Sequence, residues 1–390
     1  MSSDRVVDVS YKKENVQTAG SKFGGGLAGL VGGPVVIVLA CLLLWSNEGW
    51  AIKTHRSLNE AFDKVVYLNH AQHFPQTHNE GKLVHIQDQI HVTQRPRDNI
   101  FHFERNSVLI KRHVKIYQWV ETHKTVETKI GDGQVKVEDV YEYNLEWVDV
   151  PINSNKFRNR ESHQNSGDLP FRAETVHASG VKLGSFALHE ALRSQLAKET
   201  MISLYGLDLR LSRGMEIVGN TVYLTNNYTS RNTAVAVGDV EVSFTEVECG
   251  VVSVVAKQQG NELVPWASSE GAGYDVGILT TGTVSASDMI SGAQTSNTIW
   301  TWILRIIGLL MNAIGFSILT SLIGVLADLT FNWIPFVGPM AVSIIDLGLS
   351  IANLIFALTL SFFVAALAWI FYRPIFGISM LIGAIWYLQT

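Results

Sequence analysis

The sequence predicts an α+β membrane protein with four transmembrane helices and a large β-rich extramembrane domain inserted between the first and second. Three observations carry this. Residues 23–46 hold no charge, and between Trp300 and Thr390 only Arg305, Asp328, Asp346 and Arg373 are charged. The stretch between these patches, 47–299, has an ordinary soluble composition. Within it, residues 135–147, apart from Asp139 and Val140, alternate apolar and polar side chains, the period of a strand with one wet face.

Whole-chain values agree. Of 390 residues 17% are charged, against about a quarter in soluble domains, and the mean hydropathy is +0.17. A purely cytosolic enzyme is excluded. The formal net charge of −5 leaves no basic footprint, so no nucleic-acid partner is expected. Cys41 lies in the first apolar run and Cys249 in the soluble part, so neither an internal disulfide nor a zinc ribbon is expected.

Residues 1–22 are expected to form a cytoplasmic tail and 23–46 the first transmembrane helix. The 19 uncharged residues 27–45 reach about 28 Å as a helix, enough for one hydrocarbon core. The run exceeds a signal-peptide core and no small-x-small cleavage site follows, so it reads as a retained anchor. The glycines at 24, 25, 26, 29, 32 and 33 either admit a close neighbour or reflect the general tolerance of membrane helices. The sequence leaves both open. Residues 300–390 are expected to form a C-terminal membrane domain with three helices, at 303–327, 347–371 and 374–388. A turn over 328–346 would contain Pro335, Gly338 and Pro339, and Tyr372-Arg373-Pro374 would be a tight reversal. Trp300, Trp302, Trp333, Trp369, Tyr372 and Trp386 lie near these ends, as in an aromatic belt. Four spans would put both termini on one side and the insert on the other. Arg5, Lys12, Lys13 and Lys22 favour a cytoplasmic tail and a lumenal or periplasmic insert, whereas Lys53 and Arg56 argue the other way.

The insert, 47–299, is long enough to bury its own core. Residues 108–120 and 135–147, joined through Asp132-Gly133, predict an antiparallel hairpin. Further strands are expected at 83–92, 217–224, 235–244 and 251–256. One helix is expected, with Leu188, Leu192 and Leu196 on a face and Ser185 as N-cap. Asn-Glu-Gly at 47–49 and 79–81, with a similar run at 260–265, hints at duplication, leaving one domain or two interlocked lobes.

Candidate chemistry is sparse. All 12 histidines fall between His55 and His189. His70, His73 and His78 cluster, with His85 and His91 following, but their spacing fits no established zinc site and Pro75 interrupts them. Surface histidines are the plainer reading. Cys249 sits in a valine-rich strand, where a thiol is a small inert apolar group. There is no Gly-x-Ser-x-Gly elbow, phosphate loop or dinucleotide fingerprint. Asn227-Tyr228-Thr229 fits the glycosylation acceptor pattern. Arg305, Arg373, Asp328 and Asp346 read as span boundaries. The nearly apolar midspans argue against transport. No catalytic, cofactor-binding or metal residue is assigned.

Several runs are similar to the transmembrane protein 43 (LUMA) family. They include Asn79-Glu80-Gly81-Lys82-Leu83-Val84-His85-Ile86 and Arg112-His113-Val114-Lys115-Ile116-Tyr117-Gln118-Trp119-Val120-Glu121-Thr122. Others are Asp132-Gly133-Gln134-Val135-Lys136, Tyr143-Asn144-Leu145-Glu146-Trp147, Ile152-Asn153-Ser154, Val237-Gly238-Asp239-Val240, Gln259-Gly260-Asn261-Glu262-Leu263-Val264-Pro265 and Phe371-Tyr372-Arg373-Pro374. The tail, 155–235 and 266–298 carry no match. The resemblance implies a four-span protein with a large lumenal domain, which in animals lies in the endoplasmic reticulum and inner nuclear membrane, self-associates and binds emerin and lamins. For a bacterial relative it implies the cytoplasmic membrane. It supplies no catalytic residues.

The expected function is therefore a non-enzymatic integral membrane protein that oligomerises and organises membrane or membrane-protein complexes. Its expected partners are membrane lipids, further copies of itself and other membrane proteins. One alternative is a lipid- or small-ligand-binding membrane protein. Another is a metal-dependent hydrolase using the histidine-rich region 55–189.

Overall fold

The apolar runs and the strand-like insert separate in the fold as well as in the sequence. A computed structural model describes residues 4–13, 19–68, 74–131, 134–225, 235–269, 273–331 and 333–374. The chain forms two compact units. The first is Met1–Asn15, Tyr67–Val264 and Leu279–Val284; the second is Val16–Val66, Pro265–Ile278 and Ser285–Thr390.

The first unit is β-rich, as expected. Its larger sheet runs in the order Asp4–Lys13, Gln134–Val148, Ser107–Gly131, Val240–Glu248, Thr221–Leu224, Met215–Val218, with antiparallel neighbours throughout. Its core gathers apolar side chains from several strands around Phe244, with Phe101 and Phe103 edge-on to that ring at 5.2 and 4.9 Å. The predicted hairpin is present, pairing Tyr117 with Trp147 and Trp119 with Leu145. Its turn, Asp132-Gly133, lies outside the described residues. The two exceptions to the alternation are real departures. Val140 is buried, while Asp139 faces out and accepts from Thr125 Oγ1 (2.6 Å) and His123 Nε2 (3.0 Å).

Five strands close into a ring: Leu83–Gln94, Ser179–Leu183, Phe186–Leu188, Glu262–Val264 and Val251–Gln259, the last pairing back onto the first. Leu83, Val84, Ile86, Phe186, Val254 and Leu263 are almost fully buried. Closure leaves none of the five with a free edge along its paired length.

The expected helix is corrected. Gly184 takes a positive φ of 57° in the turn before Phe186, so Ser185 lies in a strand connection and Leu188 ends a strand. Only Glu190–Arg193 is helical (α2, after α1 below), capped by His189, whose ring accepts from Ala191 N. Leu192 and Leu196 are buried regardless. The run 217–224 is two strands, Met215–Val218 and Thr221–Leu224, and 235–244 becomes strand only at Val240.

The tail contains a strand that the sequence reading did not anticipate. Asp4–Lys13 is an edge strand in register with Gln134–Val148, from Asp4↔Tyr143 to Lys13↔Gln134. Arg158 Nε donates to Asp8 Oδ2 (2.6 Å) and Lys12 pairs with Glu127. A charged edge strand of this kind is a common way to end a sheet. The tail strand therefore shares a sheet with residues 134–148 of the insert.

The second unit is built on α1 (Ala19–Lys64), α3 (Ala286–Phe331) and α4 (Val337–Tyr372). Among the described residues these three helices are long and apolar enough to cross a membrane. The proposed fourth span, 374–388, falls outside the described residues except for Pro374. The helices overrun the expected boundaries, since 47–64 continue α1 and 286–299 begin α3. The connection expected over 328–346 is shorter, since α3 runs to Phe331 and α4 begins at Val337. Pro339 lies in the first turn of α4, where its missing N–H costs no helical bond.

Glycines decide how closely α1 and α3 approach. A Cβ on Gly33 would fall 2.7 Å from Gly315 O and from Leu319 N, and one on Gly29 would meet Ile318 O at 2.4 Å. Gly308 faces Leu44 and Gly315 faces Ile37, so the helices run antiparallel. Small residues thus bring backbone onto backbone. Gly24 and Gly25 meet nothing within 4 Å, so only part of the run serves this packing.

Candidate functional site

The second unit's distinctive chemistry is a set of buried polar side chains between apolar helices. At one end of the bundle stands Glu48, 1% exposed. Arg305 Nε donates to Glu48 Oε1 at 2.6 Å and Nη2 to Oε2 at 2.8 Å. Trp369 Nε1 donates to the same Oε2 at 2.7 Å. One carboxylate from α1 thus receives a two-pronged guanidinium from α3 and an indole N–H from α4. Charge-assisted bonds of this geometry are the strong ones, and a buried carboxylate requires them.

Neighbouring contacts extend the cluster. Asn47 Nδ2 donates to Thr301 O (3.1 Å), and Arg56 Nη2 donates to Tyr372 O. The Arg305 guanidinium lies 4.8 Å from the Trp302 ring centre, and that of Arg373 5.5 Å from Trp369. Trp300 and Trp302 are more than half exposed beside them. These are contacts suited to an aromatic belt at a membrane surface.

Deeper in the helices, Asn312 Nδ2 donates to Ser361 Oγ (2.9 Å) and Asn353 Nδ2 to Thr320 Oγ1 (2.8 Å). The reading of nearly apolar midspans therefore missed two buried interhelical amide pairs. Uncharged Asn, Ser and Thr escape a search for charge, yet in hydrocarbon they must find partners.

The four charges expected to mark boundaries divide. Arg305 is the partner of Glu48, and Arg373 caps the end of α4. Asp328 is near the end of α3. Asp346 is not in a turn; it lies inside α4, where a Cβ on Gly324 would come 3.2 Å from its Oδ1.

The described histidines do not converge on a metal-ligand set. His70, His73 and the acceptor motif at Asn227 lie outside the described residues. His85 faces Val284 O at 3.0 Å, His113 faces Thr245 Oγ1 at 2.9 Å, and His189 caps α2. His163 stacks on Tyr143 at 3.9 Å between ring centres. Among the described residues no three His, Cys, Asp or Glu side chains form a metal-ligand set. Burial lowers the His85 pKa against an opposing hydrogen bond to Val284 O, and burial with Lys111 nearby lowers that of His113. Burial pushes the Cys249 thiol up, the reverse of what a nucleophile needs. Burial and the bond to Glu121 raise the Tyr143 phenol to about 12.

Comparison with known proteins places the chain in a family. A family model described as Transmembrane protein 43 matches residues 116–374. Transmembrane protein 43 of Mus musculus is 30% identical over 395 aligned residues, covering 96% of this chain and 94% of its own length. The Homo sapiens protein of that name is 30% identical over 388, covering 95% and 92%. The Drosophila melanogaster homologue is 27% identical over 358, covering 90% of each. No solved structure matches.

Proposed function

Because the chain belongs to the transmembrane protein 43 family, we propose that it is a non-enzymatic integral membrane protein that self-associates and organises other membrane components around it. The observation that carries this reading is the division of polarity in the helical unit. Polar pairs point inward, Glu48 with Arg305, Asn312 with Ser361 and Asn353 with Thr320. The outward faces carry Ile314, Leu347, Leu354 and Phe362, all at least half exposed. Inward pins fix the bundle's internal geometry, leaving the apolar outer faces free to pack on lipid or on other helices. The assembled partners are further copies of the chain and other membrane proteins. The compartment is the endoplasmic reticulum and inner nuclear membrane in a eukaryotic host, or the cytoplasmic membrane in a bacterium.

Mass photometry of the full chain in lipid nanodiscs tests this reading. Discrete species above the monomer mass are expected, and a monomer at every loading ratio would refute self-association.

A further inference from the structure

The bundle end that holds Glu48 also holds two adjoining cavities. One is an apolar groove of about 330 Å³, lined by Ile306, Leu309, Leu358, Phe362 and Ala365 of α3 and α4. The other is a polar pocket of about 280 Å³, with Glu48, His55, Thr298 and Arg373 in its wall. Trp302, Arg305 and Trp369 line both, so the two meet at these side chains.

The charge at the meeting point is positive. Both oxygens of Glu48 are occupied by Arg305 and Trp369, so this carboxylate is already neutralised. Arg373 lies over the Trp369 ring, and among the described residues no carboxylate is within ion-pair distance of it. A cation at the end of apolar spans, beside exposed tryptophans, sits where a bilayer presents its phosphates. The groove running from it is lined with side chains that suit hydrocarbon.

We propose that this cleft binds one anionic glycerophospholipid drawn from the surrounding bilayer. Its phosphate is held by Arg373 and by the edge of Arg305 turned away from Glu48, and one acyl chain lies along the groove between α3 and α4. Charge complementarity selects the anionic headgroup, since a zwitterionic lipid brings its own cation to a pocket already positive. The site is independent of whether the chain self-associates.

The test uses the full chain in nanodiscs containing equal amounts of phosphatidylserine and phosphatidylcholine, followed by native mass spectrometry. One phosphatidylserine retained per chain is expected. Arg373→Gln leaves the Glu48–Arg305 pair intact and should reduce that retention about tenfold, the loss of one charge-assisted bond. Ala365→Trp fills the groove and should lower retention of both lipids, so the proposal remains testable should the arginine variant fold poorly. Equal retention of the two lipids by the wild-type chain, or wild-type retention in both variants, would overturn it. So would a photo-crosslinker at Phe362 that labels residues 375–388 or a second copy in place of lipid.

Discussion

Glu48 on α1 and Arg305 on α3 meet edge to edge, at 2.6 and 2.8 Å, with the carboxylate 1% exposed and the guanidinium side chain 24% exposed. Removing one member of a buried pair strands the other's charge, which typically costs about 3–5 kcal/mol, whereas replacing both costs far less. Glu48→Gln and Arg305→Met should therefore each lower the unfolding free energy of the reconstituted chain by about that amount. The double variant should recover much of it. A double-mutant cycle by thermal unfolding in nanodiscs reads the coupling, and additive losses would show that the pair does not act as a unit.

The glycines on α1 predict a graded effect. Gly33→Val places a side chain against the backbone of Gly315 and Leu319. Overpacking of that kind costs about 1–3 kcal/mol. Gly24→Ala enters open space and should change stability by less than about 0.5 kcal/mol. Melting temperatures of the two variants, measured side by side, check the contrast.

The strand Asp4–Lys13 makes a topological prediction. Its ladder with Gln134–Val148 pairs Ser10 with Val137 and requires both on one side of any bilayer. Cysteines introduced at Ser10 and at exposed Lys124 of the hairpin should react with a membrane-impermeant maleimide from the same face of sealed vesicles. Labelling from opposite faces would show that α1 separates them and that the ladder does not form in the membrane.

Acidification should weaken the β-rich unit. His85 and His113 both have folded pKa values below the ordinary 6.5, chiefly because burial disfavours their charged forms. Below 6.5 the unfolded chain binds more protons than the folded one, so stability falls as pH drops through 6.5 towards the folded values. The melting temperature should fall between pH 7 and pH 5. His85→Gln keeps a donor towards Val284 O and should flatten part of that slope. An unchanged slope in the variant would assign the pH dependence elsewhere.

Much of the fold was legible because its signals are local. Uncharged runs located the apolar stretches of α1, α3 and α4 but not their ends, and alternation from Val135 located the hairpin. Local signals also misled. The spacing of Leu188, Leu192 and Leu196 suits a helix, but the turn at Gly184 and pairing with Leu183 made the first of them strand. The tail reads from its charges only as a cytoplasmic segment, although Val6, Val7 and Val9 carry the β-branched signature of the edge strand it forms.

The sequence by itself determined that apolar helices accompany a sheet-rich insert, since hydrophobic period and charge content are properties of each segment alone. Only the tertiary structure decided that Glu48, just past an apolar run, faces Arg305 some 250 residues away. The same holds for Asn312 with Ser361 and for the closed ring in which Val251–Gln259 pairs back onto Leu83–Gln94. The physical reason is that a buried polar group or an open strand edge specifies only that it needs a partner. Which partner it takes depends on the chain's path through space.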